Sequence, residues 1–299
     1  MQPKLFKGKV RMVKKAIPAD LDFLFISAFG SWNYGLQTKT SDIDFKAVYI
    51  PTLDELLHPS EHVISSIIHV GNVGDCEVIS IQAFVQRIKE LDISKIETLF
   101  ATNIWINDKH QELFSSIKEY TLDYIISNKV RYIDAVINVC SNIYRTFVTS
   151  KVFKYNGKKA YNIPRLKYLL NGVVFSNEYS LIVDDEVTHD RIMAYKVGNV
   201  EKEDAEIECR VIMERMESMK ETLTDENELM FQEQCKRFDE LVTNGVYTEI
   251  VRATEERRIR KKTNKLTHQC RSDIGFHMTL SFITLWLMLA IMIITVIAR

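Results

Sequence analysis

The apolar and polar positions of this chain change period twice. Residues 1–20 read as an amphipathic lead-in to LDFLFISAF (21–29), an unbroken apolar run with the length of a buried strand. IDFKAVYI (43–50) is a second such run, rich in Ile, Phe, Val and Tyr. Between them, SWNYGLQTKTS is polar and brief, which leaves room for a short helix and a turn. After Pro51, Thr52 is placed to cap a short helix through Leu57. SSIIHV and DCEVISI then read as two strands around the turn signal GNVG. From Ile81 the period becomes helical: IQAFVQRIKEL sets Phe84, Ile88 and Leu91 on one stripe. ISKIETLFATNIW reads as a further helix, with Ile96, Leu99 and Phe100 apolar.

Residues 109–220 carry helical periodicity almost throughout. Ile133, Val136, Ile137, Cys140, Ile143, Tyr144 and Phe147 form one wide apolar stripe. Strands followed by segregated helices predict an α+β fold. The expected organisation is a small mixed-sheet catalytic domain at 1–108 and an all-helical domain at 109–245. Within the latter, Met213, Met216 and Met219 are expected to pad a helix face.

The C-terminal end changes character again. TEERRIRKKTNKLTHQCRS is strongly basic, and Met278 to Ala298 is a 21-residue stretch without charge. That is about the length needed to span a hydrocarbon core. The expectation is a basic juxtamembrane segment at 246–275 and a single-pass transmembrane tail at 276–299, with the catalytic domain facing the cytoplasm. The basic segment is also suited to anionic lipid head groups. Nucleic-acid binding by 252–271 is the rival reading, weakened because no aromatic residues are interleaved for base stacking.

Composition narrows this picture only modestly. The length of 299 residues suggests about two domains. A formal net charge of −1 gives no bulk nucleic-acid signature. The five cysteines show neither a C-x-x-C pair nor metal spacing, which fits free thiols in a reducing compartment. The basic start lacks the apolar core of a signal peptide.

The candidate chemistry sits between the first two strands. Gly30-Ser31 at a helix start offers N–H groups and a hydroxyl to a polyphosphate. Gly35 follows, then Ser41-Asp42-Ile43-Asp44, with the two carboxylates two apart and therefore on one face. Two hard oxygen ligands beside a phosphate cradle suit Mg²⁺, or Mn²⁺, held jointly by protein and nucleotide. A third carboxylate is expected from the strand DCEVISI: Glu77 is preferred as the deeper position, with Asp75 as the substitute.

The combination Gly-Ser, Gly35 and SDxD resembles the active-site signature of the DNA polymerase beta nucleotidyltransferase superfamily. Over residues 22–215 the likeness is closest to its bacterial and phage-borne branch, the YcgL-like predicted nucleotidyltransferases, which carry SDxDxRGVYxP and a segment like NPxxxExLF. This chain has SDIDFKAVYIP and DISKIETLF, and departs at Lys46-Ala47 and at Asp92-Ile93. Lysine keeps the charge of the family's arginine without its bidentate fork. A second segment, KKAYNIPRLKYLLNG, is similar to the branch's KxAxHxxRL pattern; Lys159, Ala160, Arg165 and Gly172 carry the likeness, and Asn162 stands in place of His. Arg191, Lys196 and Gly198 carry a third.

The resemblance implies a Mg²⁺-dependent transfer of a nucleoside monophosphate from a nucleoside triphosphate, ATP first among them, to an acceptor hydroxyl. It implies Asp42, Asp44 and Glu77 as catalytic and metal-holding residues. Gly30, Ser31, Gly35, Ser41, Lys159, Arg165 and Lys196 would contact the nucleotide. The acceptor stays open between RNA, protein and a small molecule. The competing expectations are a membrane-anchored, non-catalytic nucleotide-binding module and a nucleic-acid-binding protein with an inert fold.

Overall fold

The structure, a computed structural model, describes residues 3–17, 21–39, 41–57, 65–71, 73–148, 157–223 and 228–297, with the side chains of 266–297 and a few others excepted. Helix α1 (Pro3–Ala16) leads into strand β1 (Asp22–Phe29). Then come β2 (Asp44–Ile50), α2 (Leu53–Leu57), β3 (Ser65–His69) and β4 (Asp75–Ser80). Helices α3 (Ile81–Lys89) and α4 (Ile93–Leu99) precede a short strand, β5 (Ile104–Ile106). The rest of the described chain is mainly helical: α5 (Gln111–Ser127), α6 (Lys129–Val148), α7 (Gly157–Ala160), α8 (Asn162–Asn171), α9 (Glu186–Val197), α10 (Lys202–Glu221) and α11 (Glu228–Ile297).

The five strands form one mixed sheet in the order β3-β4-β2-β1-β5. β1 pairs antiparallel with β2 and β5, β3 with β4, and only β2 and β4 run parallel. Parallel neighbours need a crossover; the chain makes it through α2 and β3. One face packs on α1, where Phe6 stacks against Phe45 at 6.3 Å between ring centroids. On the other, Phe25 meets Phe84 of α3 and Phe114 of α5 edge-on, at 5.5 and 5.3 Å. With both faces covered, the central strands read as continuous apolar runs.

Capping fixes where the site's helices begin. Ser80 accepts from the N–H of Ala83 to start α3, and Asp92 accepts from Ser94 and Lys95 to start α4. The expected helix through 105 stops at Leu99. Ile104–Ile106 leaves it to pair with β1, flanked by Ala28 N–H on Asn103 O (2.8 Å) and Asn107 N–H on Leu24 O (3.0 Å). The α6 stripe is buried at Ile133, Val136, Ile137 and Cys140, and half-buried at Ile143 and Tyr144; the Phe147 side chain lies outside the described residues. Met216 and Met219 pad the buried side of α10.

The chain divides into two compact units, Met1–Ile250 and Val251–Arg299. Sheet and helices α1 to α10 share the first; the second is the latter part of α11. The expected membrane anchor is corrected here. Among the described residues no helix is long and apolar enough to cross a membrane. The apolar stretch within 276–299 is the end of a 70-residue helix, and its side chains lie outside the described residues. A spanning helix requires roughly 20 consecutive apolar residues, and the part of α11 whose side chains are described, through 265, is rich in charge and largely exposed. Among the described residues the fold is α+β with a mixed sheet, and the expected membrane anchor, with the localisation drawn from it, is not supported.

Candidate active site

Strand β1 ends at Phe29, and the chain turns through Gly30 at φ +78°, a left-handed conformation that side chains resist. Gly30–Trp32 is a single 3-10 turn rather than the start of a longer helix. It is held by Asn33 N–H on Gly30 O (2.9 Å) and Leu36 N–H on Ser31 O (3.0 Å). The Asn33 side chain donates back to the Ala28 carbonyl. Gly35, at φ +71°, makes the second left-handed corner. Any cradle for phosphate here therefore rests on local N–H and hydroxyl groups, because one turn builds little helix dipole.

A second tight turn closes the loop. Thr38 N–H donates to Ser41 Oγ at 2.8 Å, and Ser41 N–H to Thr38 O at 3.1 Å. Asp42 and Asp44 follow as exposed residues on either side of buried Ile43. Only Asp44 belongs to β2; Asp42 precedes it. Both line a cleft of about 440 Å³ with Phe29, Gly30, Ser31, Thr38, Ser41, Tyr161, Lys196 and Val197. Burial pushes the Asp44 carboxyl above the usual carboxylate range; the Asp75 N–H opposes this, and the charges of Asp75 and Asp42 add to it. Anionic crowding of this kind favours a cation.

The structure sets Asp75, rather than Glu77, beside Asp44. The Asp75 N–H donates to Asp44 Oδ1 at 3.3 Å, and the register pairs Phe45 with Cys76 one step further in. Gly74 makes this approach possible: a Cβ there would lie 2.7 Å from Ile43 O and 3.2 Å from Asp44 Oδ1. The Asp75 carboxylate is exposed and meets His69 Nδ1 at 2.9 Å.

Glu77 is drawn elsewhere. It is the register partner of Lys46, with Glu77 Oε2 3.4 Å from Lys46 Nζ and Glu77 Oε1 2.5 Å from Lys95 Nζ. Burial would raise the Glu77 carboxyl, but the two lysines outweigh it and hold it low. Lys46 also donates to Ser94 Oγ and lies 3.9 Å from the Phe29 ring centroid. Burial, then Lys95, brings the Lys46 ammonium down to about 8 against the pull of Glu77. Among the described residues no three His, Cys, Asp or Glu side chains converge to hold a metal ion. Asp42 and Asp44 are the two carboxylates that line the cleft. That suits Mg²⁺, which is commonly held by one or two carboxylates with substrate phosphates supplying further oxygens.

The four cationic residues expected across the cleft each take a different place. Lys196 is at the site: its Nζ donates to Leu36 O at 2.5 Å and to Ser41 Oγ at 3.4 Å. Lys159 is exposed and does not line the cleft. Arg165 points inward, to Glu97 at 2.5 Å, with both side chains buried. Arg191 pairs with Glu208 on the exposed side of α9. Tyr161 is a cleft residue that sequence reasoning missed; its one signal was its position within the KKAYNIPR segment. Phe29, Thr38 and Val197 carried no comparable signal.

No family model matches the chain, and no curated protein matches it.

Proposed function

We propose that this protein is a metal-dependent nucleotidyltransferase acting at the cleft between the Gly30–Ser41 loop and α9. The observation that carries this reading is one shared cleft lined by Gly30, Ser31, Asp42, Asp44 and Lys196. The sequence likeness to the polymerase beta superfamily supports the same chemistry.

Asp42 and Asp44 would hold Mg²⁺ or Mn²⁺ together with the nucleotide. An ion held by these two carboxylates would supply charge neutralisation for the phosphates. Ser31 and its turn face the phosphates, and Lys196 opposes the charge that develops on the leaving pyrophosphate. An acceptor hydroxyl oxygen forms the new bond to the α-phosphorus while the bond to pyrophosphate breaks. The hydroxyl proton passes to Asp75, which adjoins Asp44 and is held by His69. Arg165 is removed from the phosphate-binding set because its guanidinium is committed to Glu97. The acceptor is an RNA end, a protein side chain or a small-molecule hydroxyl.

The test uses the full chain with α-³²P-labelled nucleoside triphosphates, Mg²⁺ and total cell extract. Label transfer and pyrophosphate release that vanish in Asp42→Asn/Asp44→Asn support the reading; equal transfer by the double variant overturns it. One observation favours a second reading, a non-catalytic nucleotide-binding module: Glu77 is neutralised by two lysines. Saturable nucleotide binding without pyrophosphate release in any extract would select it.

A further inference from the structure

Tyr34 lies inside the Gly30–Gly35 loop, yet it is only 2% exposed. Its hydroxyl donates to Glu97 Oε2 at 2.7 Å, across 63 positions of sequence. Glu97 Oε1 accepts from Arg165 Nη1 at 2.5 Å, and the guanidinium lies 3.8 Å from the centroid of the Tyr34 ring. Arg165 Nε also donates to Asn162 Oδ1 at 3.3 Å. One loop side chain is thus gripped on its edge by a carboxylate and on its face by the cation paired with it.

The same stretch of loop is held on its backbone. Three consecutive carbonyls, those of Tyr34, Gly35 and Leu36, meet Val183 N–H at 3.5 Å, His189 Nε2 at 3.2 Å and Lys196 Nζ at 2.5 Å. A buried ion pair contributes little net stability, because desolvation offsets most of the attraction. A fixed geometry for what it touches is the better account of such a pair. What it touches is the turn carrying Gly30 and Ser31.

We propose that Tyr34, Glu97 and Arg165 form a strut that sets the phosphate-facing turn, so that Glu97 and Arg165 are positioning residues for the nucleotide site. This rests on the nucleotidyltransferase reading for the ligand, but the strut itself is a property of the loop. Removing the Tyr34 hydroxyl leaves the ring, the stacked guanidinium and the Glu97–Arg165 pair in place. The loss is confined to one link.

The experiment compares full-length wild type with Tyr34→Phe, Glu97→Gln and a control, Tyr132→Phe. The control removes a different buried hydroxyl, one that bonds Tyr179 at 3.2 Å. Amide hydrogen exchange of residues 30–36 is measured without nucleotide, alongside thermal melting. Dissociation constants for Mg²⁺-ATP and turnover are measured separately. Tyr34→Phe should speed exchange in 30–36 by tenfold or more, with melting little changed. It should weaken nucleotide binding about fivefold to tenfold, roughly the loss of one hydrogen bond, and leave kcat within about twofold. Glu97→Gln should move the same readouts further, and Tyr132→Phe should move neither. Unchanged exchange and affinity in Tyr34→Phe would overturn the strut, as would equal loosening by the control. If wild type binds no nucleotide while exchange still rises in Tyr34→Phe, the strut stands and the ligand reading falls.

Discussion

Lys46 and Glu77 are direct register partners on the two parallel strands, with their charged ends 3.4 Å apart and Lys95 closing on the same carboxylate from α4. Two ammonium groups, 8% and 10% exposed, share one carboxylate. Glu77 is the carboxylate in direct contact with both ammonium groups, and Asp92 adds a further negative charge near Lys46.

Glu77→Gln should act on stability. Leaving two buried cations without their counter-ion is expected to cost about 3 kcal/mol, read as a lower denaturant midpoint at pH 7. Asp75→Asn should do the reverse: unchanged stability, since its exposed pair with His69 is worth little, and turnover reduced by a factor of roughly 100. Loss of turnover in Glu77→Gln with full stability would return the third carboxylate to that position.

Lys46 gives a pH signature of definite sign. Its folded pKa of about 8 lies below the ordinary lysine value of 10.5. Between the two, the unfolded chain binds more protons than the native one, so stability rises with pH across this window. Below the folded value the cost is fully present. Lys46→Met should flatten the slope between pH 8 and 10.5 and leave Glu77 paired with Lys95. Chemical denaturation at a series of pH values checks it; an unaltered slope rules it out.

Asp44 works in the opposite range. Its folded pKa is raised, by burial first, so the native state keeps a proton longer than the unfolded chain does. Stability falls as pH rises from the ordinary value of 3.8 through the folded one. Asp44→Asn should therefore melt no lower than wild type at pH 7 while losing activity by about 1000-fold or more. In Asp42→Asn the acid limb of the residual activity should lie lower in pH than in wild type, because one negative charge beside Asp44 is gone.

Lys196→Met should raise the nucleotide KM about tenfold and lower kcat as well, because its ammonium is placed to meet both the bound phosphates and the charge that develops on pyrophosphate. Lys196→Arg should recover part of it. Equal KM in all three proteins would show that Lys196 serves only the Leu36 carbonyl.

Gly74→Ala should disturb both fold and site. A Cβ at 2.7 Å from Ile43 O, on a backbone at φ +128°, forces β4 away from Asp44. A loss of about 2 kcal/mol or more is expected, with turnover falling further than the unfolded fraction explains. Stability and activity measured on one preparation separate the two effects.

Local pattern alone determined much of this protein. The apolar runs at 21–29 and 43–50 were legible as buried strands because they are short, bounded by turn residues and rich in aromatic and β-branched side chains. The Gly-Ser turn and the Asp-x-Asp pair are adjacent in sequence, so one strand–loop–strand unit brings them to one cleft. The helical period after Ile81 was legible at Phe84 and Ile88, but Leu91 lies beyond the end of α3 and the next helix ends at Leu99, because helix ends are set by caps and packing rather than by the stripe.

Tertiary structure decided whatever depends on partners far along the chain. Ile104–Ile106 is a strand only because the β1 edge offers it hydrogen bonds, and three residues hold no period of their own. Parallel register sets Glu77 against Lys46 and leaves the Asp75 N–H beside Asp44, a relationship that sequence spacing alone does not reveal. Arg165 reads as a phosphate ligand in sequence, but α8 docks so that its guanidinium meets Glu97, 68 positions away. Charge in sequence says that a partner is required; packing chooses which one, because burial makes an unpaired charge too costly to leave.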